Sequence, residues 1–241
     1  MANVKVNGIV IAENNMGDYD KMLTILTPNY GKISCVAKGA RRPQSALLAG
    51  TQLFCFGEYM MYKGTNTYHI NSCETIEIFY NLRTDLDKLK YAIHINKIIQ
   101  DITEENENCY KILQLFLNTL YTISETDKDK DFILSVFKLR LLCILGFMPR
   151  VTKCVSCKDE NELTKFSIRD NGFKCEACGK QESSLEMSES TKSAILYTIS
   201  APPKKLYSFS LKDDSLREFE LISKIYFNEK LEKEYKLEEL F

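Results

Sequence analysis

The chain has 241 residues, 44% of them hydrophobic and 27% charged, with a formal net charge of −1 at pH 7. That length accommodates one large or two to three small domains. The near-neutral charge excludes a globally basic nucleic-acid binder, so any such surface must be a local patch, and no apolar run is long enough to span a membrane.

Taken in chain order, residues 4–13 are rich in β-branched side chains with partial alternation and read as a strand. No signal peptide is read at the start, where Lys5 is followed by only a short apolar run, so a cytoplasmic location is expected. A polar break over 14–20 leads to a second strand at Lys21–Thr27. Pro28-Asn29-Tyr30-Gly31 is a turn, since proline fixes one φ and glycine accepts a positive one. A third strand follows at Lys32–Ala37, then a loop opened by Lys38-Gly39-Ala40-Arg41-Arg42-Pro43 and lasting to about Gly50. Leu53–Tyr62 and Tyr68–Ile78 supply two more strands, joined by Lys63-Gly64-Thr65-Asn66. Five strands with a long loop between the third and fourth suit a small barrel of the OB-fold type.

From Leu82 the apolar period lengthens to three or four, marking a helix that Thr84-Asp85 can cap. Helices are also predicted at Tyr110–Ser124, Phe132–Leu145, Ser188–Ser200 and Asp213–Glu229, with a solvated end over the last ten residues. The third of these five is apolar almost all round apart from Lys138 and Arg140, so other elements must surround it. The fold class expected is α+β: an OB-fold barrel over 1–80, then a helical domain over 81–241.

Inside the second domain, at about 150–180, stand two CxxC pairs, Cys154/Cys157 and Cys175/Cys178, separated by seventeen residues. This spacing is that of two zinc knuckles. Four thiolates close a tetrahedral shell around one structural Zn2+ and leave no open position for catalysis. Two disulfides or a redox pair are the competing readings, and reduced cytosolic thiols argue against disulfides. Cys35, Cys55, Cys73, Cys109 and Cys143 stand singly and read as small buried hydrophobes. The two histidines, His69 and His94, support no Ser/His/Asp, HExxH or phosphate-loop pattern and read as surface or packed residues.

Three N-terminal stretches, Gly17-Asp18-Tyr19-Asp20-Lys21, Thr27 through Ser34 and Val36 through Arg42, resemble in order and spacing the barrel of the bacterial recombination mediator family RecO. The resemblance continues through Leu139–Pro149, just ahead of the first CxxC, and so spans nearly the whole chain. It implies a non-enzymatic DNA-repair protein that binds single- and double-stranded DNA and anneals complementary strands. The implied partners are RecR, the acidic C-terminal tail of single-stranded DNA-binding protein (SSB) and, indirectly, RecA. A zinc-ribbon and OB-fold interaction module of transcription or translation machinery is the alternative.

On their own chemistry, Lys38, Arg41 and Arg42 lie on a small-residue loop where cations can follow a phosphate track. Lys21 and Lys32 fall near the starts of neighbouring strands, and Tyr19 and Tyr30 sit in adjoining turns where rings could stack on bases. A solvated loop is the bland alternative. Asp18 and Asp20 read as turn formers or partners of the lysines. Arg140 and Lys138 need partners because an unpaired buried charge is expensive. An internal carboxylate is the expected partner; the sharper reading has Arg140 receive the acidic, Phe-ending tail of a partner against Phe137 or Leu141.

Overall fold

The structure, a computed structural model, describes residues 3–65, 67–180 and 184–237. Asn66 of the fourth turn and residues 238–241 of the expected solvated end lie outside the described residues. Two compact units divide the chain, Met1–Leu120 and Tyr121–Phe241.

The first unit opens with β1 (Asn3–Met16), β2 (Asp20–Thr27), β3 (Gly31–Ala37), β4 (Phe56–Lys63) and β5 (Tyr68–Glu77). They close into a barrel in the order β1-β2-β3-β5-β4, with β3 and β5 parallel and every other pair antiparallel. This is the OB-fold barrel expected from the strand pattern. β1 serves two neighbours: its first half pairs with β4 and its second half with β2, the register slipping between Val10 and Ala12. The irregularity bends the strand enough to take part in both walls. Val6, Val10, Leu23, Ile25, Cys35 and Met61 fill the interior, each large aliphatic contributing about 1.5–3 kcal/mol on full burial.

β4 begins later than the sequence pattern placed it. Phe54 adopts a φ of 64° while its N–H donates to the Val10 carbonyl and Val10 N–H donates to the Cys55 carbonyl, at 2.9 and 3.0 Å. Leu53–Cys55 therefore closes the long loop against β1 instead of extending the ladder. Tyr59, fully buried, donates its hydroxyl to the Gly50 carbonyl at 2.8 Å and anchors the same loop from below.

Helices α1 (Asn81–Thr84), α2 (Leu86–Ile102) and α3 (Tyr110–Glu125) follow, so the first unit extends past residue 80. Asp85 caps α2, its carboxylate accepting from the N–H groups of Asp87 and Lys88. α2 buries Ile95, Ile98 and Ile99 and meets β1 where Asn96 Nδ2 donates to the Ile11 carbonyl at 2.8 Å. Residues 103–109 clamp the β2–β3 turn. Lys32 N–H donates to Glu104, Asn106 N–H to Tyr30 and Cys109 N–H to Pro28, at 2.9–3.1 Å. Gly31 makes the clamp possible: its φ is +63°, and a Cβ there would run into the Glu104 carbonyl.

In the second unit, α4 (Lys130–Ile144) is capped by the Asp129 carboxylate, and every residue from Phe132 to Leu139 is buried. The cysteine module follows as β6 (Leu163–Ser167), β7 (Gly172–Cys175), the single turn α5 (Glu176–Gly179) and the short β8 (Leu185–Glu186). α6 (Glu189–Ser200) and α7 (Asp213–Leu231) then return to pack on α4. The helices before and after the module thus share one core, with the module inserted between them, as its apolar pattern required. No helix among the described residues is long and apolar enough to cross a membrane.

Candidate metal centre and nucleic-acid interface

The four predicted cysteines converge. Their sulfurs all lie within 4.8 Å of one another, and Cys157 Sγ and Cys175 Sγ are 3.7 Å apart. A tetrahedron with metal–sulfur bonds of about 2.3 Å has edges of about 3.8 Å, so the cage is sized for one ion held by four thiolates. Two local folds bring this about. Cys154 N–H donates to the Asp159 carbonyl at 2.7 Å and Lys158 N–H to the Cys154 carbonyl at 3.0 Å, turning the chain so that Cys154 and Cys157 face the same point. The β6–β7 hairpin, turned at Asn171 with φ 59°, delivers Cys175 at the start of α5 and Cys178 within its turn. Gly172 is needed there, since a side chain would strike the Arg150 carbonyl.

The electrostatics of the four sulfurs point the same way. Burial opposes ionisation of Cys154, yet hydrogen bonds from backbone N–H groups bring its thiol down to about 6. Cys178, bonded to the neighbouring thiols, is pushed up to about 12. Four sulfurs this close cannot all become thiolates without a cation among them. By contrast, burial pushes the isolated Cys35 thiol up to about 12 and Cys143 up to about 11, which keeps both protonated as packing residues.

Lysines around the module divide by role. Lys174 is 1% exposed and pairs with Asp170 at 2.6 Å; Lys165, also buried, pairs with Glu186 and with Glu176 at 3.5 Å. These two hold the hairpin and its turn together. Lys153 and Lys158 remain exposed.

On the barrel, Lys38, Arg41 and Arg42 are exposed on the loop after β3. The loop is braced rather than loose. Asp20 accepts from Gly39 N–H at 2.7 Å, Arg41 N–H donates to the Tyr19 carbonyl at 2.9 Å, and the Arg41 guanidinium donates to the carbonyls of Gly17 and Asp18. Arg42 lies over the half-exposed Tyr19 ring, 5.2 Å from its centroid. Lys38 makes no hydrogen bond or ion pair among the described residues. The β1–β2 turn and the post-β3 loop therefore form one surface of three cations and a ring. Asp18 and Asp20 serve it as turn formers.

The other residues expected on this surface are placed elsewhere. Lys21 is directed inward: its ammonium pairs with Glu13 and donates to the Thr51 carbonyl at 3.1 Å. Lys32 and Tyr30 sit at the opposite end of β2, about 20 Å away at 3.3 Å per residue. There Lys32 Nζ donates to the Gln100 carbonyl at 2.7 Å, and the clamp brings Glu104, Glu105 and Glu107 alongside.

Among the described residues, Arg140 has no carboxylate partner of the kind expected. Its guanidinium donates to the carbonyls of Thr198 and Ile199 at the C-terminal end of α6, where a cation also meets the negative end of the helix dipole. Phe137 and Leu141 are fully buried, so neither offers a ring-sized opening to a partner's tail. Lys138 is the unexpected group. At 5% exposure it has no hydrogen bond or ion pair among the described residues; its ammonium lies 5.7 Å from the Phe227 ring. Burial, reinforced by the nearby Lys224 charge and partly offset by Asp131, lowers its pKa to about 8.

Comparison with known proteins agrees with this architecture. Residues 1–79 match the family described as Recombination protein O N terminal, and residues 83–239 match Recombination protein O C terminal. A protein of Acetivibrio thermocellus named DNA repair protein RecO is 42% identical over 237 residues, covering 98% of this chain and 94% of its own length. A second of that name, from Caldicellulosiruptor bescii, is 31% identical over 243 residues, covering 100% and 98%. A third, from Bacillus subtilis, is 29% identical over 226 residues, covering 93% and 88%. The likeness to a solved aspartyl tRNA synthetase from Entamoeba histolytica, with a TM-score of 0.21, 10% identity and coverage of 61% of this chain and 33% of that one, is too slight to carry any argument. With both family matches in sequence order over nearly every residue, the chain belongs to the RecO family.

Proposed function

We propose that this chain is a cytoplasmic DNA-repair and recombination protein that works by binding, without catalytic chemistry. Residues 1–80 are its nucleic-acid-binding domain and 81–241 its helical domain. It binds single- and double-stranded DNA, anneals complementary strands and, with RecR, helps RecA load onto DNA coated with SSB, whose acidic tail it engages. Cys154, Cys157, Cys175 and Cys178 hold one structural Zn2+, the ion whose preferred tetrahedral shell four thiolates complete. The zinc supplies charge balance and cross-linking to the module and takes no part in a reaction.

One observation carries the DNA reading: Lys38, Arg41 and Arg42 stand exposed together beside Tyr19 in a chain whose net charge is −1. Local cation density of this kind, with an aromatic ring at its edge, is what non-specific nucleic-acid binding uses. Three neutralised phosphates give a slope of log affinity against log salt of about −2 for a single strand. Reversing Arg41 and Arg42 to glutamate should flatten that slope and suppress strand annealing measured with and without RecR at two salt concentrations. Unchanged binding at low salt would remove the loop from the interface.

A further inference from the structure

The barrel carries an aromatic pair beside the cationic loop. Strand registers align a row of residues across it: Met22 opposite Val36, Val36 beside His69, His69 opposite Tyr62, and Tyr62 opposite Asn3. The next residues along these strands, Leu23, Cys35, Ile70 and Met61, belong to the barrel core. Side chains alternate along a strand, so the row lies on the outer face of the barrel, where Val36 is itself covered at 5% exposure and Tyr62 and His69 remain partly open. The Tyr62 and His69 rings stack there with centroids 4.9 Å apart and planes at 15°, both partly exposed.

Position and charge connect this pair to the loop. Val36 precedes Lys38 by two positions on β3, and neighbouring strands are about 4.8 Å apart. A strand of nucleic acid whose phosphates meet Lys38 can therefore reach His69 within about two nucleotides. The row itself contains no carboxylate. Within the ladder, acidic groups begin further along β4 and β5 at Glu58 and Glu74, which face each other, Glu58 being paired with Lys5 at 2.7 Å; off the ladder, Glu105 shares a groove with Lys63, Thr67 and Tyr68. Beside the row, Thr67 Oγ1 donates to the Ser34 carbonyl at 2.8 Å, and Lys63 at the end of β4 is exposed.

Resting on the reading that the loop binds DNA, we propose that Tyr62 and His69 form a base-stacking step that makes the barrel favour single strands over duplex. A single strand offers unstacked base faces to these rings, whereas a duplex has its bases stacked on one another and offers the barrel chiefly backbone. The loop grips phosphate in either form; the aromatic pair distinguishes them.

The test uses the full metal-loaded chain and three labelled probes of equal length: an oligothymidylate, an abasic strand that keeps the sugar-phosphate backbone, and a duplex. The variant Tyr62→Leu/His69→Leu should lower affinity for oligothymidylate about tenfold, within the range expected of one stacked base, and leave the other two probes unchanged. Tyr62→Phe should bind as the parent does. Should the double variant melt early, His69→Ala alone carries the same comparison. The proposal is overturned by unchanged oligothymidylate affinity, or by an equal loss on all three probes. Arg41→Glu/Arg42→Glu distinguishes the two readings. It should weaken all three probes together, and if it weakens none, the loop fails as the phosphate grip while the probe ratios of the Tyr62 variants still report on stacking.

Discussion

Replacing Lys138 by methionine should make the protein more stable. The lysine is 5% exposed with no carboxylate paired to it among the described residues, and its pKa falls from 10.5 to about 8. A drop of roughly 2.5 pKa units corresponds to about 3 kcal/mol of unfavourable charge burial at neutral pH. Methionine keeps the apolar stem against Phe227 and removes the charge. The sign follows from proton binding: between pH 8 and 10.5 the unfolded chain holds a proton that the folded chain has released, so wild-type stability rises with pH across that window. The advantage of Lys138→Met should therefore be about 3 kcal/mol at pH 7 and less than half of that at pH 9.5. Urea denaturation followed by circular dichroism, run on both proteins at the two pH values, measures it. A methionine variant less stable than the parent, or an advantage equal at both pH values, would refute the argument.

Three more expectations concern the metal, a cap and a turn. The double variant Cys154→Ser/Cys157→Ser should lose its single bound metal by elemental analysis and become sensitive to protease within 150–180, since metal binding in such small units contributes roughly 10–16 kcal/mol; unchanged protease resistance would deny the site a structural role. Asp85→Ala leaves the Asp87 and Lys88 N–H groups without their acceptor and should cost about 1 kcal/mol in chemical denaturation. Gly31→Ala forces a side chain into the left-handed region against the Glu104 carbonyl, a strain of about 1–2 kcal/mol before the clash. Its signature is faster hydrogen exchange at the Asn106 and Cys109 amides, and unchanged exchange there would show that the clamp tolerates a side chain.

What the sequence disclosed was whatever depends on near neighbours. Most strand and helix spans, the Asp85 cap and the cysteine spacing are local patterns, and the structure follows them. The destinations of long polar side chains are set by what the fold brings from elsewhere. Lys21 looked like a free cation until Glu13 and the Thr51 carbonyl arrived from other segments, and Lys32 until Gln100 did. Arg140 found helix carbonyls rather than a carboxylate for the same reason. Phe54 stopped a strand that its composition favoured, because the β1 irregularity receives Leu53–Cys55 there. The alignment of Met22, Val36, His69 and Tyr62 depends on three registers at once, and no single stretch encodes it.

The double service of β1 bears on how the molecule is made. During synthesis this strand emerges well ahead of its partner: the segment that pairs with its leading half, Phe56–Tyr62, leaves the ribosome only after the long loop has followed. Until then, seven successive backbone positions of a β-branched strand stay open to pairing with any passing chain. The lysine and two asparagines that alternate with valine in Asn3-Val4-Lys5-Val6-Asn7 stand where gatekeepers against such mispairing are needed.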